Sequence, residues 1–221
     1  MFRLLTSIAF FTCVNCIEQK ANYCGSIYPA SANGASGVFS FAHGPGTATY
    51  SFTLDLTQFP TTCDLSKGIS FHIHSFWNNG TSTSAAHEYC SAAITGGHYD
   101  PNLACGKASQ AASTLCPLIG RTPSMYSCSP ILYNAGGFAQ CEVGDLSGKF
   151  GVAFGTGPGV MTFSFNYPQL SSAPVDYTPP YVYNFNKADS ISNQWASIVF
   201  HCAADGSRQI CSKLQYSSAP W

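Results

Sequence analysis

The stretch Lys67-Gly-Ile-Ser-Phe-His-Ile-His-Ser-Phe-Trp77 decides how the chain is read. It alternates and is rich in β-branched and aromatic residues, which predicts a strand. Side chains two apart on a strand leave the same face, so His72 and His74 can share one target. Two neutral imidazoles on a rigid pleat make half of a metal site, of a kind that suits copper, zinc, iron or nickel. An isolated His-x-His is more often two half-solvated histidines, so the pair gains meaning only from the rest of the chain.

Upstream, Gly37-Val-Phe-Ser-Phe-Ala-His43 and Thr47-Ala-Thr-Tyr-Ser-Phe-Thr-Leu-Asp-Leu56 alternate as two strands joined by Gly44-Pro45-Gly46, a hairpin signal. The segment before them, Ala21 to Ser36, reads as turn-rich and poor in strand. Downstream, regular structure is hard to find from Asn78 to Cys141, and so long a stretch argues for something functional or cross-linked. Within it, the glycines and proline of Thr95-Gly-Gly-His-Tyr-Asp-Pro101 hold His98 in a fixed loop. His43 reads as a solvated turn residue and His87, with no partner at a useful spacing, as a surface one.

Cys141-Glu-Val-Gly-Asp-Leu-Ser-Gly-Lys149 follows, then strand-like Phe150 to Phe154 and Val160 to Phe165. A Pro- and Tyr-rich segment runs from Tyr167 to Asn186, and two strands close the chain, Trp195 to His201 and Arg208 to Leu214. About eight short strands with turn signals between them predict an all-β sandwich or barrel. No internal repeat and no linker forces a second domain.

The 221 residues carry a formal net charge of −1 and only 9% are charged, so neither nucleic acid nor another strongly charged partner is indicated. Met1 to Cys16 places one basic residue, Arg3, before a short apolar run ending in small residues, the pattern of a secretory signal peptide. The expectation is a leader over 1–16, one domain over 17–221, secretion to the extracellular space and no membrane anchor. Of eleven cysteines, nine follow residue 16, and an exported chain this rich in them should be disulfide-bonded with one left over. Cys105, Cys116, Cys128 and Cys141 lack the paired C-x2-C spacing of a zinc site, which favours disulfides. Asn79-Gly80-Thr81 is a glycosylation acceptor.

Four features now stand in order: Phe71-His-x-His74, Gly97-His98-Tyr-Asp-Pro101, Val143-Gly-Asp-Leu146, and Ile198-Val-Phe-His201 followed by Arg208-x-x-Cys211. This order resembles the copper/zinc superoxide dismutase family over most of the chain after about residue 36. The resemblance implies a Greek-key β-sandwich or barrel with a long disulfide-bearing loop insertion. It implies that His72, His74, His98 and His201 bind one copper, and that Cys90 and Cys211 form the disulfide tying the loop of His98 to the last strand. It also implies that Arg208 meets the anionic substrate.

The departures from the family are as informative. Zinc-bearing members use the bridging histidine, two further histidines and an aspartate, yet this chain has no histidine between His98 and Val143. Where the usual pattern reads His-Val-Gly-Asp, it has Glu142-Val-Gly-Asp145, and the span from His201 to Arg208 is very short. Zinc is therefore not expected, and the chain is most similar to the extracellular copper-only superoxide dismutases of fungi and oomycetes. The insert from Leu103 to Gln140 is longer than in the zinc-bearing pattern.

Copper can exchange one electron with superoxide, which zinc cannot. With no zinc on its other nitrogen, His98 needs a carboxylate to accept that N–H and fix the tautomer. Glu142, with Asp145 in support, is the candidate, although Asp145 reads equally well as a turn cap. Arg208 supplies a permanent positive charge for a small anion. The expectation is a monomeric enzyme acting on superoxide. The alternative is a non-enzymatic extracellular copper-binding domain on the same fold, and retention of Arg208 favours the enzyme.

Overall fold

The computed structural model describes residues 23–27, 35–44, 47–57, 59, 63–77, 90–155, 159–168 and 196–216. The leader over 1–16, Asn79, His87 and most of the Pro- and Tyr-rich segment lie outside the described residues. Eight strands are described: β1 Tyr23–Ile27, β2 Ser36–Gly44, β3 Thr47–Asp55, β4 Ile69–His74, β5 Val160–Pro168, β6 Ser197–Cys202, β7 Arg208–Lys213 and β8 Gln215–Tyr216. They form two antiparallel sheets, one in the order β5-β3-β2-β1-β8 and one in the order β4-β6-β7.

The hairpin expected from alternation is β2 and β3, paired from Ser36↔Asp55 to Gly44↔Thr47. Tyr50, Phe52 and Leu54 of β3 point inward while Ser51, Thr53 and Asp55 do not, as a period of two requires. Phe52 meets Phe71 of β4 and Phe200 of β6 edge-on at 5.1 and 5.0 Å and stacks on Phe163 at 5.5 Å. Aromatic side chains from both sheets thus make one core, with Ile69, Ile73, Ile198, Ile210 and Leu214 filling the space around the rings.

Two expectations are corrected. Ala21 to Ser36 is not poor in strand, because Tyr23–Ile27 is β1 and pairs with both β2 and β8. That strand contains Gly25 and Ser26 and is specified by its neighbours rather than by its own propensity. Phe150 to Phe154 is not a strand either. Leu146–Phe150 is a short helix, opened by the Asp145 carboxylate accepting from the Gly148 N–H and ended at Gly151 with φ 91°. Of this segment, Ala153 alone makes a β-bridge, to Ile69, while the Phe150 ring packs on Tyr50 of β3.

The long span before Cys141 is built of single-turn helices, Ala92–Thr95, Leu115–Leu118 and Pro130–Asn134, and is cross-linked. The disulfides Cys105–Cys116 and Cys128–Cys141 staple it internally, Cys90–Cys211 ties its start to β7, and Cys63–Cys202 clips the approach to β4 onto the end of β6. These eight cysteines leave none free among the described side chains; Cys24, the ninth after residue 16, has its backbone in β1. Four disulfides are typical of extracellular proteins. No described helix is long and apolar enough to cross a membrane.

Phe52→Ala would leave Phe71, Phe163 and Phe200 facing a cavity at the junction of the sheets. We expect a loss of about 3–5 kcal/mol. In urea this reads as a lower unfolding midpoint with an unchanged slope.

Candidate metal centre

On β4 the pleat sends Ile69, Phe71 and Ile73 into the core and leaves His72 and His74 on the opposite face. β6 lies antiparallel beside it, with Ser70 opposite His201. The β6–β7 register slips between Phe200 and His201, which sets His201 opposite Arg208. His98 arrives on the other side of β4, in a loop that behaves as a short extra strand. The Tyr99 N–H donates to Ile73 O at 2.9 Å and the Ser75 N–H to Gly97 O at 3.0 Å. A second rail holds the same loop from outside, where the His98 N–H donates to Ala108 O at 2.7 Å and the Gln110 N–H to His98 O at 3.0 Å.

These connections bring His72, His74, His98 and His201 into one cluster, with ring centroids 4.1 to 6.3 Å apart. Each offers one ring nitrogen, and those nitrogens all lie within 4.8 Å of one another. The partners of the other nitrogens assign the tautomers. Nδ1 of His74 donates to Gly96 O at 3.0 Å, Nδ1 of His201 to Gly206 O at 3.0 Å, and Nδ1 of His98 to Glu142 Oε2 at 2.6 Å. Each therefore keeps a bare Nε2. His72 is reversed: its Nε2 faces Asp145 Oδ1 at 3.3 Å, and its buried Nδ1 has no partner among the described residues.

Four lone pairs thus converge, and Nε2 of His74 lies only 3.3 Å from Nε2 of His201. Two bare nitrogens at that distance repel, and a proton between them would create a buried imidazolium. Burial opposes that charge: it holds His74 well below the ordinary imidazole range, lowers His72, and brings His201 down to about 3. A metal cation satisfies all four nitrogens at once, so the cluster fits a bound ion of the kind that imidazole favours.

The turn Glu142-Val-Gly-Asp145 backs this cluster. The Ile73 N–H donates to Gly144 O at 2.8 Å and the Gly144 N–H to Tyr99 O at 2.7 Å, pinning the turn between β4 and the loop of His98. A Cβ at residue 144 would lie 2.2 Å from Ile73 O, so only glycine permits this approach. Ser147 strengthens the same seam, its Oγ accepting from the Phe71 N–H at 2.6 Å. Glu142 accepts from His98 as expected, and burial raises its pKa while that hydrogen bond opposes the rise. Asp145 matches its reading as a turn cap, and the imidazole it supports is a different one from that expected. It stands behind His72 rather than beside Glu142 at His98, and it also caps the helix that follows. Burial acts to raise its pKa, but His72, Tyr126 and the Gly148 N–H together hold it below the usual carboxylate range.

Arg208 is fixed rather than swinging. Its guanidinium donates to Cys90 O at 3.2 Å, to Gly96 O at 2.9 Å and to the Thr95 hydroxyl. Gly96 O also takes the His74 proton, so one carbonyl joins the arginine to the cluster. The Cys90–Cys211 disulfide holds the loop that supplies these acceptors.

Two side chains escaped the reading of the sequence. The hydroxyl of Tyr126 reaches Asp145 from the insertion. Lys149 is buried and donates to Val143 O at 2.7 Å, with its ammonium 5.7 Å from the centre of the Tyr133 ring. No periodicity marks Tyr126. A lysine directly after Gly148 in so short a helix was a readable oddity only for its place beside a glycine-rich turn.

No protein-family model matches the chain, and no curated protein matches it significantly.

Burial outweighs the nearby carboxylates and brings the Lys149 ammonium from its ordinary 10.5 down to about 8. Between those values the unfolded chain binds the extra proton, so this group makes the fold more stable as pH rises. Relative to Lys149→Met, the native chain should gain about 2 kcal/mol between pH 7 and 10. Denaturant titrations of the two proteins across that range check this.

Proposed function

We propose that the imidazole cluster is a copper centre and that the chain is a secreted copper-only superoxide dismutase on a Greek-key β-barrel, acting as a monomer. The observation that carries this reading is the convergence of four imidazole nitrogens beside a fixed arginine. Four nitrogen donors favour copper among the common divalent ions. The order of motifs around them is that of the copper/zinc superoxide dismutases. Bound copper would supply the one-electron cycling that turns superoxide into dioxygen and hydrogen peroxide.

The protein's own residues would then divide the work. His72 through Nδ1, and His74, His98 and His201 through Nε2, would hold the ion. Gly96 O, Gly206 O and the carboxylates of Glu142 and Asp145 keep each imidazole in the tautomer this requires. With its Nδ1 proton held by Glu142, His98 can take or give a proton only at Nε2. Arg208, opposite His201 on the sheet, offers a small anion a permanent charge at a fixed place. Zinc has no part in this reading, since the oxygens of Asp145 are already engaged by His72, Tyr126 and the Gly148 N–H.

The test is metal content together with superoxide consumption, on exported protein reconstituted with copper alone. One copper per chain without zinc, and activity that needs the copper, are expected. His72→Ala should abolish activity. Arg208→Ala should lower it by roughly 10-fold or more, the worth of one hydrogen-bonded charge. Tight copper binding without turnover would refute the enzyme and leave an extracellular copper-binding domain.

A further inference from the structure

Tyr126 follows the single-turn helix Pro123–Met125, on the insertion that sets this chain apart from the zinc-bearing pattern. Its hydroxyl donates to Asp145 Oδ2 and accepts from the Glu142 N–H at 3.3 Å. Those two contacts go to residues that back different imidazoles, Asp145 behind His72 and Glu142 behind His98. A chain of polar contacts therefore runs His72–Asp145–Tyr126–Glu142–His98, and the phenol is its middle link. Burial first, and then the two carboxylates, push the phenol far above its ordinary pKa, so it stays a donor.

Two independent features hold this link in register. The Cys128–Cys141 disulfide joins a residue two past Tyr126 to the residue just before Glu142. Gly106 presses the other side of the insertion onto the same pair: a Cβ there would lie 2.4 Å from Glu142 Oε1 and 3.2 Å from the Tyr126 ring.

We propose that Tyr126 is a positioning residue for the metal centre, locking the plane of the Asp145 carboxylate and thereby which nitrogen of His72 carries the proton. Asp145 Oδ1 accepts from Gly148 N at 2.7 Å and faces His72, while Oδ2 is held by the phenol. Without the hydroxyl the carboxylate keeps one anchor and can turn about it, and the Glu142 N–H loses its acceptor. The insertion thus braces from outside the carboxylate of Asp145, which orients His72, and the backbone of Glu142, whose carboxylate orients His98. The inference rests on the proposed copper reading, but its first consequence is visible without metal.

The experiment is 15N NMR of histidine tautomers in the full-length copper-free protein, then competition titration with Cu(II). Tyr126→Phe keeps the ring and removes only the oxygen. Ser127→Ala, which breaks the neighbouring 2.6 Å contact to Gln140, is the control. In the native chain and in Ser127→Ala, His72 should be the Nε2–H tautomer and His74, His98 and His201 the Nδ1–H tautomer. In Tyr126→Phe, His72 should become a mixture and Cu(II) affinity should fall roughly 10-fold, as for other groups behind a metal ligand. An unchanged His72 tautomer with unchanged Cu(II) affinity would overturn the proposal. If Tyr126→Phe does not fold, the native chain decides: a slowly exchanging phenolic proton on Tyr126 is required, and its absence also overturns it. A native chain with the expected tautomers that binds no Cu(II) would refute the copper reading and leave the tautomer result standing.

Discussion

Four imidazoles pointing ring nitrogens at one place is an arrangement that a folded chain does not reach by burying apolar surface. The facing Nε2 atoms of His74 and His201, with neither carrying a proton, repel each other. The arrangement persists because each ring is held from behind, by a carbonyl or a carboxylate that claims the other nitrogen. The backing groups are thus the part of the centre that the chain builds, and the convergence follows from them. Burial then disfavours the charged form of His72, His74 and His201, and the neutral form is the one a metal ligand needs.

β4 connects this polar constraint to the rest of the molecule. Its odd-numbered residues lie against the phenylalanine cluster that joins the two sheets, and its histidines lie on the other face. A shift of one residue would put His72 and His74 into the aromatic core and Phe71 into the cluster. Core packing therefore enforces the position of two imidazoles to the precision of the strand register. The loop of His98 and the Glu142 turn are in turn hydrogen-bonded to the same strand at Ile73 and just past its end at Ser75. The centre is rigid because its least regular parts are edged onto its most regular one.

What could be read from the sequence follows the range of the interactions involved. The β2–β3 hairpin and β4 are visible because alternation over six to nine residues reports one buried face. The grouping of His98 and His201 with the His-x-His pair is not visible in any local pattern, and only the order of motifs led to it. Glu142 could be named as the partner of His98 because it occupies a position where another side chain was expected. Asp145 sat in the same turn, yet which imidazole it backs depends on how the turn lies across β4. Tyr126 was hidden entirely: its partner is 19 residues away through a disulfide-stapled loop with no period. β1 was missed because strand pairing outweighed its glycine and serine, and the helix Leu146–Phe150 because an aspartate cap and Gly151 define it; the Val-Ala-Phe run lies beyond its end and makes only the Ala153 bridge.

His201 comes from the third strand from the C-terminal end of the described fold, 127 residues after His74. Cys211, which secures the loop of His98, comes later still. A chain emerging from its N-terminus would thus hold only the His-x-His pair and, later, His98, with neither the last imidazole nor the disulfide that steadies the third. Closing so long a loop carries an entropy cost that only the completed β4–β6 ladder offsets. The four-nitrogen set is consequently a late product of maturation. A metal ion captured there would report that the chain had been finished, folded and oxidised, and partial chains would be poor competitors for it.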